Sequence, residues 1–268
     1  MDNRPIGVFD SGLGGLCAVK EIKKLLPNES IIYLGDTGRI PYGTRTKETI
    51  NKYAQQDISF LLKQNVKMII AACGTVSANF VPENSLPVLY TGVLKPLAYA
   101  GARLCKNKRL GVIATSASCK SGSYEREIAN FDSEIEVFSV PCPLFVHLVE
   151  NGLIEDGNKI TELTAQMYLA PLKEKGIDSL ILGCTHFPLI ANAIKKSLGE
   201  DVLLIDPGKE VASYAKKLLS KNQLLADGEG KASYRYFVTD NIPLFNETAG
   251  LFLGEKDSLD VSLAKIDE

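Results

Sequence analysis

Two cysteines stand out as residues that could do chemistry: Cys73 in Ala72-Cys-Gly-Thr75 and Cys184 in Gly183-Cys-Thr-His186. Each closes a short apolar run and opens a polar turn that leads into a helical pattern. Parallel α/β sheets place ligands at such strand ends, and the helix starts that follow attract anions. A cysteine at a helix N-terminus has its thiolate favoured by the helix dipole, so a lowered pKa is expected at both sites, and each thiol becomes a usable base near neutral pH. Two equivalent thiols facing each other suit one reaction in particular. One takes a proton from one face of a carbon stereocentre, and the other returns a proton to the opposite face, without a cofactor. Acyl transfer would need only one nucleophilic cysteine and an oriented histidine. The bland reading of a cysteine, a small buried hydrophobe, is preferred for Cys17, Cys105, Cys119 and Cys142.

The neighbours of these turns each carry two readings. His186 either tunes Cys184 or hydrogen-bonds a substrate; otherwise it caps a helix or fills a core. Asp10 either pairs with a substrate ammonium or with the Cys73 side, or is a plain helix N-cap. His147, on an apolar segment, reads as structural, and Glu150 near it is a candidate for a supporting role. The run Gly12-Leu-Gly-Gly15 invites comparison with a dinucleotide fingerprint, with Asp36 at the right distance for the ribose acid. The third glycine of that fingerprint is Cys17 here, and Asp10 would sit against the pyrophosphate. Close approach of helix and substrate to the backbone is the better use of these glycines.

The elements that must position these residues alternate as strand, turn and helix. Ile6–Phe9, Ser30–Leu34 and Lys67–Ala72 are short apolar runs, with helical periods through about Leu26 and from Lys47 to Gln64. Arg109–Ile113, Ile135–Ser139 and Ser179–Leu182 repeat the order, with a loop at Ala114–Ser118, a helix from about Gly122 and a helix-rich stretch from Pro143 to Lys175. Such alternation predicts parallel sheets with crossover helices. Gly7-Val-Phe corresponds to Gly111-Val-Ile, and Met68–Cys73 to Leu180–Cys184, offset by roughly a domain's length. The expected fold is therefore α/β, with two similar domains related by a pseudo-twofold, parallel-rich central sheets, and the site in the cleft between them. Val202–Asp206 and Tyr234–Asp240 read as further strands, with helices opening at Pro207 and spanning about Pro243–Leu253. The later ones are expected to return to the first domain, giving residues 1–96 plus 208–268 and residues 97–207. The charged tail after Gly254 is expected to fray.

Composition narrows the function classes. Among 268 residues, 30 basic and 32 acidic side chains leave a net charge of −2, so no basic field is available to hold nucleic acid or a membrane surface. No apolar run approaches the roughly 18 residues of a membrane span, and no basic–apolar–small segment opens the sequence, so a cytoplasmic location is expected. Six cysteines without a Cys-x-x-Cys pair, and only two histidines, argue for reduced thiols and against a structural zinc site.

Four motifs in order carry a specific likeness: Asp10-Ser-Gly-Leu-Gly-Gly15, Gly35-Asp-Thr-Gly-Arg-Ile-Pro-Tyr-Gly43, Ala72-Cys-Gly-Thr75 and Gly183-Cys-Thr-His-Phe-Pro188. With these, the chain resembles the glutamate racemases of the aspartate/glutamate racemase superfamily from about residue 5 to about 253. The resemblance implies cofactor-independent interconversion of L- and D-glutamate, supplying D-glutamate for peptidoglycan, by a homodimeric protein. It implies Cys73 and Cys184 as the acid/base pair. It also implies Asp10, Ser11, Tyr42, Gly43, Gly74, Thr75, Thr185 and His186 as substrate contacts, with no metal. One position departs from the pattern: Gly74 stands where that motif usually has asparagine, so only a backbone N–H is offered where an amide would reach the substrate. The loss of a polar contact of this kind costs about 1–3 kcal/mol. Gly74 therefore motivates a second reading, a racemase of another amino acid such as aspartate. The third is a non-catalytic amino-acid-binding protein on the same scaffold.

Overall fold

The computed structural model describes residues 1–82, 85–254 and 259–266. Two parallel sheets organise them. The first holds six strands in the order β10-β9-β2-β1-β3-β4: β1 (Ile6–Asp10), β2 (Ile31–Gly35), β3 (Met68–Ala71), β4 (Leu89–Gly92), β9 (Tyr234–Val238) and β10 (Val261–Leu263). The second holds four, in the order β6-β5-β7-β8: β5 (Arg109–Ala114), β6 (Glu136–Pro141), β7 (Ser179–Leu182) and β8 (Leu203–Ile205). All pairings are parallel. Strands 2-1-3-4 of the first sheet and 6-5-7-8 of the second share one winding, so β3 and β7 occupy the same place in each unit. Cys73 follows β3 and Cys184 follows β7.

The central strands read as unbroken apolar runs because both faces are covered. All five residues of β1 and of β2 are buried, as are all four of β3 and of β7. One core lies between the first sheet and α2 (Lys47–Lys63), from Phe9 and Leu34 to Ile50 and Leu61. The other runs from Val8 through α1 (Leu16–Leu25) and α4 (Leu94–Leu104) into the second sheet at Leu110 and Val112. Helix α10 (Pro207–Lys221) packs on α1 and α4, its start fixed by Asp206 accepting from the amides of Gly208 and Lys209.

Two sequence expectations change, and one stretch without an expectation proves ordered. A helix, α5 (Ser116–Ser121), begins where a loop to Ser118 is expected, because Thr115 caps it by accepting from the Ser118 amide. Gly122, at φ 63°, divides it from α6 (Ser123–Phe131). Strand β4 and helix α4 lie in a stretch without a strong sequence pattern. Pro96 and Gly101 interrupt the α4 pattern, yet a Cβ at 101 would lie 2.8 Å from Leu110 and 2.9 Å from Ile181, so glycine is what lets this helix pack on the second sheet. The tail beyond Gly254 is not simply frayed. Residues 261–263 form β10 on β9, whereas residues 255–258 and 267–268 lie outside the described residues.

Candidate active site

The strand ends β1, β3, β5 and β7 open onto one cleft of about 660 Å³, counting the open solvent at its mouth. Its wall includes Asp10 and Ser11, Tyr42 and Gly43, Cys73 to Thr75, Glu150, and Cys184 to His186. The structure thus gathers every residue singled out for the site by sequence.

Cys73 caps α3 (Gly74–Asn79), and its Sγ lies 3.7 Å from Ser11 Oγ. The expected lowering of its pKa does not appear. Burial, and then the charge of Asp10, push the thiol up to about 12, against the pull of the Val76 amide and Ser11. A six-residue helix contributes little dipole, and the sulphur is nearly sealed from water, at 4% exposure for the residue.

Cys184 sits differently. Thr185 and His186 separate it from the next helical turn, a 3₁₀ segment at Phe187–Ile190 whose N-cap is His186, so it is not itself a helix cap. Its neighbour is His186, whose Nδ1 lies 3.6 Å from Cys184 Sγ. The other ring nitrogen is 3.3 Å from Glu150 Oε1, close but not aligned as a hydrogen bond. Burial works against the imidazolium, yet the hydrogen bond to Cys184 and the pairing with Glu150 outweigh it and carry His186 up to about 10. The ring is also packed edge-on against Phe252 of α11 (Ile242–Leu253), at 5.6 Å between centroids.

Asp10 is buried at the end of β1 and accepts from the Gly12 amide at 2.9 Å. It does not cap α1, whose first turn starts at Leu16 after Gly15. Burial holds its carboxyl above the usual range, with His186 opposing. Thr185 Oγ1 reaches it at 3.5 Å. Tyr42 turns its hydroxyl away from the cleft, into Asp36 and Asp57, so only its remaining atoms face the cavity.

The cysteine turns touch through glycines. A Cβ at Gly74 would lie 2.1 Å from the Gly183 carbonyl oxygen, and a Cβ at Gly14 would lie 2.2 Å from Thr185 Oγ1. At Gly43 it would meet Thr115 at 3.0 Å. Gly74 therefore does more than lack an amide: in this arrangement it is the residue that lets the two cysteine turns meet. The nearby threonines join too, Thr75 Oγ1 and Thr115 Oγ1 being 3.0 Å apart.

Thr115 and Ser116, which no motif singles out, line the cleft after β5. The repeat contained the signal, since the offset that carries Gly7 onto Gly111 carries Ser11 onto Thr115. His147 was expected to be structural. It is instead exposed and lines the cleft from α7 (Pro143–Glu150), whose apolar contacts come from Phe145 and Val149 one face over.

A family model described as Asp/Glu/Hydantoin racemase matches residues 17–215. A glutamate racemase of Thermoanaerobacter pseudethanolicus is 44% identical over 257 residues, 96% of each chain. One from Geobacter metallireducens is 40% identical over 264 residues, 97% of each chain. Among solved structures, the glutamate racemase of Francisella tularensis in complex with D-glutamate superposes with a TM-score of 0.92 at 41% identity, over 100% of this chain and 99% of that one. Among the described residues, no helix is long and apolar enough to cross a membrane.

Proposed function

The chain belongs to the Asp/Glu/hydantoin racemase family, and on that premise we propose that it interconverts L- and D-glutamate by two-base proton transfer, with Cys73 on one face of the α-carbon and Cys184 on the other. The observation that carries this reading is the placement of two thiols after topologically matching strands, in the wall of one cleft. One sulphur takes the α-proton as the base. The carbanion so formed takes a proton from the thiol opposite, which leaves the first sulphur protonated and the second a thiolate; loss of a proton from the first and uptake of one by the second restore the starting form. A thiol pushed up to about 12, as at Cys73, stays protonated at neutral pH and is ready to donate. His186, backed by Glu150, holds a hydrogen-bond partner against the Cys184 sulphur throughout. Asp10 is suited to the substrate ammonium. The hydroxyls of Ser11, Thr75 and Thr185, and backbone amides at Gly43 and Gly74, are suited to its carboxylates.

Glutamate is the substrate of the relatives named above, which favours it over aspartate. The same reading assigns the product D-glutamate to peptidoglycan synthesis in the cytoplasm. It takes the protein to be a homodimer and divides it into domains at residues 1–96 plus 208–268 and 97–207. Light scattering on the purified protein tests the dimer. The reaction is tested by incubating each enantiomer of glutamate in deuterated water. Racemisation with deuterium entering Cα of the product is expected. Tight binding without exchange would instead leave a non-catalytic amino-acid-binding protein, and turnover of aspartate alone would move the substrate.

A further inference from the structure

Behind the cleft loop lies a buried cluster that proton transfer at the α-carbon does not use. Asp36 follows β2, Asp57 lies on the inner face of α2, and neither side chain has exposed surface. Among the described residues, one cation serves both. Arg39 donates Nε to Asp36 Oδ2 at 2.6 Å and Nη2 to Asp57 Oδ1 at 3.1 Å, and its third nitrogen goes to Gln56 Oε1. The Tyr42 hydroxyl lies between the carboxyls, closest to Asp36 Oδ2 and 3.1 Å from Asp57 Oδ2. Thr239 donates to the remaining oxygen of Asp36 at 2.9 Å.

Counting hydrogens leaves one contact unexplained. Arg39, Tyr42 and Thr239 all donate to Asp36. A phenol has one hydrogen, and the short contact to Asp36 uses it. The Tyr42 oxygen therefore turns a lone pair toward Asp57 Oδ2. Two lone pairs facing at this distance, in a pocket where one guanidinium would have to neutralise two buried carboxylates, would be costly. We propose that Asp57 is a neutral carboxylic acid that donates to Tyr42, and that it is a positioning residue holding the Tyr42–Gly43 turn against Thr115 in the cleft wall. The charged and titratable groups facing it are Asp36 beyond β2, Arg39 and Tyr42 on the cleft loop, and, farther off, Asp10 at the end of β1. Burial, then the charge of Asp36, drives its carboxyl well above the usual range, against the opposing pull of Arg39 and then of the Tyr42 hydroxyl.

The positional part of this inference rests on the racemase reading; the protonation part does not. The test uses the full-length protein and two variants. Asp57→Asn keeps a neutral group that can still donate to Tyr42 and accept from Arg39, so kcat and KM for glutamate are expected within about twofold of wild type, whereas Asp57→Ala is expected to raise KM about tenfold with a smaller change in kcat. Infrared difference spectra of wild type minus Asp57→Asn, at neutral pH, are expected to show the carbonyl stretch of a protonated carboxylic acid. This readout needs no activity and is unaffected should Asp57→Ala fail to fold. Absence of that band, or an Asp57→Asn variant as impaired as Asp57→Ala, would overturn the proposal. If no glutamate turnover occurs in wild type, the racemase reading fails while the infrared result still decides the state of Asp57.

Discussion

The turns after β3 and β7 hold corresponding cysteines in different surroundings. Cys73 caps a short helix beside a serine hydroxyl and near a buried carboxylate, and its proton is held tightly. Cys184 precedes a 3₁₀ turn and leans on a buried imidazole that is itself paired with Glu150. The winding of the two sheets repeats, but the proton environments do not. A racemase needs two bases on opposite sides, and it does not need them to be alike. Each sulphur needs only to exchange a proton with the same carbon, and the route by which its charge is stabilised is free to differ.

The two sides are separated most severely by substitution at the sulphurs. Cys73→Ser and Cys184→Ser should each lower racemisation by at least about 10²-fold in both directions, toward the limit of detection by circular dichroism. Deuterium exchange at Cα should survive for one enantiomer in each variant, and for opposite enantiomers in the two. Exchange of the same enantiomer by both would place the thiols on one face and end the two-sided reading.

His186→Asn acts on one side only, with an expected loss of about 10²-fold. Enantiomers have equal free energy, so kcat/KM must fall equally from L- and D-glutamate. The asymmetry should appear in the primary deuterium isotope effect. It should grow for the enantiomer deprotonated by Cys184 and shrink for the other. Equal isotope effects would mean that His186 serves both sides.

Gly74→Ala probes how closely the two turns must meet. Its Cβ would fall 2.1 Å from the Gly183 oxygen, so the turns must separate, and a displacement of this kind should cost about 10–100-fold in kcat/KM with the fold intact by circular dichroism. A neutral outcome would show that the contact is slack.

The smallest effect is on stability against pH. Folded His186 binds its proton up to about 10, whereas an unfolded histidine releases it near 6.5. The stabilisation is present in full below about 6.5 and is lost as pH rises through about 10. Wild type should therefore lose a few degrees of Tm relative to His186→Asn across that window, as followed by thermal melts, and parallel curves would assign the charge elsewhere.

The strands that carry the site were legible because burial on both faces leaves few polar positions to blur them, as in Ile31–Leu34 and Leu180–Leu182. What was hidden had specific causes. Helix α4 contains Pro96 and Gly101, residues that read as breakers, and Gly101 is what lets it pack against Ile181. Strand β10 is three residues at a sheet edge, too short to show a period. The loops around Cys73 and Cys184 were readable from residue type, and Thr115 was readable from the repeat. The proton affinity of Cys73 was not, because it depends on the enclosure produced when turns from two sheets close on each other. No local stretch of sequence records that enclosure.

The return of β9 to the side of β2 has a consequence for synthesis. Residue 31 pairs with residue 234, so as the chain emerges from the ribosome β2 keeps a bare edge while the four strands of the second sheet, complete by residue 205, already have their partners. A bare parallel edge is open to mispairing during that interval. Phe252, which packs on His186, arrives later still. A nascent chain can hold both thiols and a finished second sheet and still lack the packing that steadies the imidazole, which α11 brings.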